Sequence, residues 1–236
     1  MQKVALITGT GEGIGKALAE LLLDNKYLVY GYSRSNKIIH QNFYFSEVDL
    51  SILDKVKEIK FPKLDLDSEI LLVNNAGTIG NIIPFDKKNN FDIINEYNVN
   101  LISPTLLSKH FIKNYPKQKK MLINISSGAA NNPIASWSTY CASKTALDML
   151  SKVIEIENYK NLKVFSIYPG IVNTNMQKMI RETRKVDFPM KEKFSNYFKN
   201  GELTSPEVTA RRIYQIITKN DDFCDIIVHL RNLVEN

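Results

Sequence analysis

Apolar residues along the chain follow two rhythms. Short, mainly apolar stretches at 4–7, 27–32, 43–48, 70–73, 121–125, 162–167 and 223–230 have the length of buried strands. Between them the apolar positions take helical spacing. Ile14, Leu18, Leu21 and Leu22 share one helical face. Ser51 is placed to cap a helix reaching Ile59, and 91–110 reads as one long helix with Asn100 inside it. A further helix is predicted over 139–156. Another starts at Ser205-Pro206-Glu207, a serine cap followed by proline in the first turn, and buries Ala210, Ile213 and Ile217.

Strands alternating with helices predict an α/β fold: a doubly wound, mostly parallel sheet of Rossmann-like form with helices on both faces. Without repeats, low-complexity tracts or a linker, residues 1–236 read as one domain. Ligands of such sheets bind beyond the carboxyl ends of the strands. Polar or turn-forming groups sit at those ends: Gly9, Arg34, Asp49, Asn75, Ser127 and Gly170. The stretch 173–204 is long, rich in Met and Lys, and weakly patterned. It reads as a loop that forms a lid over the substrate.

Composition narrows the field. The chain is 44% hydrophobic and 24% charged, as a globular protein is. Cys141 and Cys224 suggest no disulfide framework and fit a reducing cytosol. The N-terminus shows no targeting segment and no run approaches a membrane span, so a cytoplasmic protein without membrane contact is expected. The net charge of +6 is scattered in short groups such as Lys119-Lys120 and Arg211-Arg212. These read as solvated faces, with no stripe for nucleic acid, and part of the excess would attract an anionic cofactor. His40, His110 and His229 lack metal-ligand spacing, so no metal is assigned.

The chemistry-bearing residues come next. TGTGEGIG (8–15) follows the first strand and opens a helix, with Gly9, Gly13, Ile14 and Gly15 placed for a backbone cradle around a pyrophosphate. A structural glycine turn is the plainer alternative. The second strand ends in Ser33-Arg34 with no acidic residue for a ribose hydroxyl, and Arg34 can pair a 2′-phosphate, which favours NADP (NADPH) over NAD. Asp49-Leu50 closes the third strand. Asn75-Ala76-Gly77, at the end of the fourth, leave room for a flat ring near the backbone. Asn100 is either solvent-facing or a placed polar group. Tyr140 and Lys144 lie one helical turn apart, where an ammonium would lower a phenol's pKa toward proton exchange with a carbonyl oxygen. Trp137 is either a pocket wall or a core residue.

These motifs together, TGTGEGIG (8–15), NNAG (74–77), NVNL (98–101), NISS (124–127), YCASK (140–144) and YPGIVNT (168–174), resemble the classical short-chain dehydrogenase/reductase family from end to end. The resemblance implies that Tyr140 is the general acid and that Lys144 lowers its pKa and binds the nicotinamide ribose. It implies further that Ser127 bonds the substrate oxygen and Asn100 holds a relay water. Asp49 would meet the adenine, and Val172 and Thr174 the nicotinamide amide. Segments such as Asn175-Met176-Gln177, Gly201-Glu202-Leu203 and Ser205-Pro206-Glu207 are similar to the branch holding sepiapterin reductase and bacterial benzil reductase, which reduces aromatic dicarbonyl side chains with NADPH. In sepiapterin reductase an aspartate on the last strand grips the pterin. Ungapped reading puts Leu230 there, with Asp225 or Glu235 as the alternatives in another register. Glu12 stands where NADP-dependent relatives carry Arg or Lys.

The expected activity is NADPH-dependent reduction of a ketone or diketone on a small aromatic substrate. The alternatives are an NAD-linked alcohol dehydrogenase and a non-catalytic dinucleotide sensor. The resemblance also implies a homodimer or homotetramer, formed through the helices bearing Asn100 and Tyr140.

Overall fold

The computed structural model describes residues 1–233. Seven strands form one sheet: β1 (Lys3–Thr8), β2 (Leu28–Ser33), β3 (Phe43–Glu47), β4 (Glu69–Asn74), β5 (Lys119–Ile125), β6 (Leu162–Tyr168) and β7 (Ile227–His229). Their order is β3-β2-β1-β4-β5-β6-β7, and every described pairing is parallel. Parallel neighbours need crossovers, and the helices supply them. These are α1 (Gly13–Asp24), α2 (Leu53–Lys57), α3 (Asn90–Tyr97), α4 (Ser103–Asn114), α5 (Ser138–Ile156), α6 (Asn175–Glu182), α7 (Lys191–Lys199) and α8 (Pro206–Thr218).

The strand period of two divides the core. In β1, Ala5 and Ile7 point to the face covered by α1 and α8, against Leu18, Leu22, Ala210 and Ile213. Val4 and Leu6 point to the other face, against Leu107 and Phe111 of α4 and Ile154 of α5. Both faces of β1 are therefore sealed, which is why its sequence is a continuous apolar run rather than an alternation. A third cluster lies off the sheet: Trp137 and Tyr140 with Ile180, Phe188 and Phe194.

The expected helix starts and strands differ from the structure in four places. Ser205 does cap α8, accepting from the Val208 N–H at 3.2 Å, but Ser51 caps nothing: its N–H and hydroxyl both donate to Asp49 Oδ1, at 2.9 and 2.8 Å. Helix α2 starts two residues later without a side-chain cap. The long helix around Asn100 is α3 and α4 joined by a π turn, Asn98–Ile102. The stretch 173–204 is not a loop, because it carries α6 and α7. The last strand is only Ile227–His229, followed by a 3₁₀ turn, Leu230–Asn232.

Candidate active site

The chain reverses direction across the sheet between β1 and β4, and the carboxyl ends there open into a cavity of about 1440 Å³. At its floor Gly9 has φ +75°, a conformation closed to most side chains. Asn75 clamps the two strand ends together, its side-chain amide donating to the Thr8 and Gly9 carbonyls at 2.9 and 3.2 Å. The Thr8 hydroxyl accepts from the N–H groups of Asn75 and Ala76, both at 3.0 Å. Gly15 is what lets α1 close on this turn, since a Cβ there would lie 2.3 Å from both Asn75 Nδ2 and the Gly9 carbonyl oxygen.

Gly9, Gly13, Ile14, Ser33, Arg34, Asp49, Leu50, Asn75, Ala76 and Gly77 all line the cavity. Gly15 does not: it packs beneath. Ser33 donates to the Ser35 carbonyl at 2.6 Å and so shapes the turn that carries Arg34. Burial works against the Asp49 carboxylate, but the Ser51 N–H and hydroxyl and the Arg34 charge hold its pKa below the usual value. Glu12 lines the same cavity as Arg34. Its carboxylate accepts a hydrogen bond from Asn175 at the start of α6.

Tyr140, Lys144 and Ser127 converge on the same cavity. Ser127, just past the end of β5, lies near enough to the Tyr140 hydroxyl to act on its titration. Burial pushes the phenol's pKa up, the Ser127 hydroxyl draws it back, and the net direction is upward. Helical spacing to Lys144 predicts the opposite. Burial outweighs that effect, and Lys144 Nζ, 5.8 Å from the Tyr140 ring centroid, donates instead to the Ile125 carbonyl at 2.7 Å. Burial lowers Lys144 itself to about 8, against the pull of Asp148 one turn farther along α5. Asp148 is fixed by the Ser166 hydroxyl at 2.6 Å and by the Tyr168 hydroxyl.

Asn100 is fully buried and does not reach the cavity surface. Of the two readings of this residue, solvent-facing is wrong. Its amide exchanges two 2.8 Å hydrogen bonds with Thr78, donating to the carbonyl and accepting from the N–H. This fixes the backbone that continues from Gly77. Nearby, a buried Lys88–Glu96 ion pair of 2.5 Å lies under the cavity wall. Glu96 also accepts from the Asn81 N–H and from the Thr139 hydroxyl, tying α3 to the turn of α5 that carries Tyr140. Burial raises the Glu96 pKa, and Lys88 opposes it.

The wall opposite the cradle is aromatic. Trp137 stacks on Phe188 at 5.5 Å, tilts against Phe194 at 5.2 Å and meets Tyr140 edge-on at 5.7 Å. It is therefore both a core residue and a pocket wall. Phe188 and Phe194 come from 173–204, whose ends are stitched together: the Asn173 N–H donates to the Thr204 carbonyl and the Thr204 N–H to the Ile171 carbonyl, both at 2.9 Å. Val172 and Thr174 line the cavity at this root.

Of the two alternatives for a last-strand carboxylate, Asp225 does not form part of this wall. Leu230 is sealed in the core. Asp225 is exposed at the amino end of β7, beside Lys163 and Glu155, away from the cavity. Glu235 lies outside the described residues. Sequence reasoning missed Asp148, Lys88, Glu96 and Arg231, which lines the cavity beside Gly170. Asp148 was visible in principle, since Tyr140, Lys144 and Asp148 are spaced four and four along one helix face. The other three carry no local pattern.

A family model described as short chain dehydrogenase matches residues 3–185. Benzil reductase ((S)-benzoin forming) of Bacillus cereus is 34% identical over 233 residues, covering 91% of this chain and 94% of the relative. Sepiapterin reductase of Rattus norvegicus is 29% identical over 256 residues, covering 94% and 97%. A solved short-chain dehydrogenase/reductase from Saccharomyces cerevisiae superposes with a TM-score of 0.84 at 23% identity, over 98% of this chain and 96% of that one, a likeness of fold.

Proposed function

The chain belongs to the short-chain dehydrogenase family of NAD(P)-dependent oxidoreductases, and from that premise we propose that it is a single-domain, NADPH-dependent reductase of small aromatic ketones or diketones. The observation that carries this reading is the arrangement of half-buried Ser127 with buried Tyr140 and Lys144, open to one large cavity shared with the glycine turn. The cavity fits a dinucleotide. Gly9 and Gly13 present bare backbone at the start of α1, and about 1440 Å³ exceeds what a small substrate alone needs. Gly9, Gly13, Ile14, Asn75, Ala76 and Gly77 would hold its phosphates and riboses. Ser33, Arg34, Asp49 and Leu50 would hold the adenosine end, and Val172, Thr174 and Lys144 the nicotinamide end. NADPH supplies the hydride.

Tyr140 then gives its proton to the carbonyl oxygen as that oxygen gains charge. The raised pKa of this phenol keeps it protonated and ready to donate. Ser127 is the second donor to the same oxygen. The Lys144 ammonium stabilises the phenolate left behind, and Asp148 helps keep Lys144 charged. Asn100 acts as a positioning residue, through Thr78. The aromatic wall of Trp137 and Phe194 excludes water and suits an aryl substituent. Arg34, with Glu12 held by Asn175, supports NADPH over NADH. The names of the benzil and sepiapterin reductases support a carbonyl substrate.

The test is Tyr140→Phe, assayed for benzil reduction and, separately, for NADPH affinity. Turnover is expected to fall about 10²–10⁴-fold, with the dissociation constant of NADPH little changed. Near-wild-type turnover would move the chain to the dinucleotide-sensor class.

We propose a cytosolic homo-oligomer built on the outer face of α3, α4 and α5. Phe91, Ile94 and Ile102 are exposed there, and Met149, Val153 and Ile156 form an exposed row along α5. An apolar patch of this kind on a soluble chain calls for a partner, and a two-fold axis lets the same patch meet itself. Light scattering at micromolar protein is expected to give at least a dimer, and Val153→Glu a smaller species. A wild-type monomer would refute it.

A further inference from the structure

Among the described residues past β7, one side chain reaches the cavity, and the mechanism above leaves it without a task. Leu230 is sealed in the core and anchors the 3₁₀ turn, so the next residue, Arg231, is held at the cavity rim. Its side chain folds over Gly170: a Cβ built there would lie 2.8 Å from Arg231 Nε and 3.1 Å from its Cγ. The guanidinium stem thus runs back across the carboxyl end of β6.

None of the described ion pairs includes Arg231. The acids that line the cavity are engaged elsewhere. Glu12 bonds Asn175, Asp49 bonds Ser51, Asp92 bonds Asn81 and Asn89, and Glu96 bonds Lys88 and Thr139. The cofactor's phosphates are out of reach too. The glycine turn follows β1, four strands from β7 in the sheet order, or about 19 Å at roughly 4.8 Å per strand. Arg34 is one strand farther still. Ser127 follows β5, two strands from β7, and the folded-back side chain shortens that gap. An anion at Arg231 would therefore lie within a small molecule's length of the reacting carbonyl. Lys193 of α7, beside the Tyr197 ring, is a further cation of the lining.

We propose that Arg231 selects carbonyl substrates that carry a carboxylate near the ketone, so that the preferred class is the aryl keto acid rather than the neutral diketone. The inference rests on the carbonyl-reductase reading above and adds the charge of the substrate to it. Planar guanidinium and carboxylate pair through two parallel hydrogen bonds, which would orient the ketone as well as hold it.

The experiment compares kcat/KM for benzoylformate and for its methyl ester, which share one ketone and differ in the charge, with benzil as the neutral diketone. Wild type and Arg231→Gln are assayed with NADPH, and NADPH affinity is measured for both by fluorescence. Wild type is expected to prefer the acid. In Arg231→Gln the acid-to-ester ratio of kcat/KM is expected to fall about tenfold or more, chiefly through KM, and Arg231→Lys should restore part of it. An unchanged ratio, a wild-type preference for the ester, or weakened NADPH binding as the main defect would overturn the inference and leave the reductase reading intact wherever benzil is still reduced. Turnover of none of the three ketones would overturn both.

Discussion

The cradle beneath the proposed cofactor and the wall around the proposed substrate share one cavity but are built on opposite principles. The cradle is backbone, and its few side chains serve the backbone: Asn75 and Thr8 bind main-chain groups across the switch point, and Gly15 is there for its lack of a side chain. The wall is side chain on side chain. Trp137, Phe188 and Phe194 hold one another by ring contacts, and the Trp137 indole N–H, though buried, has no hydrogen-bond partner among the described residues. A backbone site is fixed by the sheet that carries it. A packed aromatic site is fixed only by its own shape, so its parts can be exchanged without disturbing the sheet.

The strongest way to break this contrast is Trp137→Ala. Truncating a buried tryptophan costs about 3–5 kcal/mol, more than a two-helix excursion can supply on its own. The amides of α6 and α7 are expected to lose hydrogen-exchange protection while those of β1, β4 and β5 keep theirs. Loss spread evenly over both regions would show the wall and the sheet to be one cooperative unit. The matching change on the cradle side is Arg34→Ala. It is expected to reduce the preference for NADPH over NADH about tenfold and leave substrate KM alone. A wild type that binds NADH more tightly would remove the basis for that assignment.

The smallest expected effect is on pH, and it falls where the two regions meet. Lys144 has its pKa depressed to about 8 by burial. Its ammonium is therefore present below that pH and lost above it, and the reductive rate is expected to decline by a factor of a few as pH rises through 8. In Asp148→Asn the nearby negative charge is gone, so the decline should start at lower pH. A flat profile from pH 7 to 9 in both proteins would mean that the charge on Lys144 does not matter to the step.

How well each region could be read from sequence follows from the same difference. The cradle was legible because strand, glycine turn and helix are local patterns, and each strand end names its own polar residue. The Tyr140 and Lys144 pair was legible because a helix has a fixed period. Its electrostatics were not, since the direction of the Tyr140 shift is set by burial, which only the fold decides. The stretch 173–204 reads as a loop because α6 and α7 are short, eight and nine residues, and Phe188, buried with Ile180 and Phe194 beside Trp137, lies between them. The Lys88–Glu96 pair carries no local pattern, because only the fold brings these two charges together and buries them. Ser51 has the right chemistry for a cap, but Asp49 two residues earlier offers a nearer acceptor.

The stitch between residues 171–173 and Thr204 has a consequence for descent as well as for shape. The excursion leaves the sheet and rejoins it at one point, so an insertion or deletion inside it shifts no strand register. Loop closure is forgiving: each doubling of a flexible loop costs only about 0.6 kcal/mol. The segment is thus a cassette, able to lengthen, shorten or be replaced across generations while the strand ends beneath it stay under separate constraint.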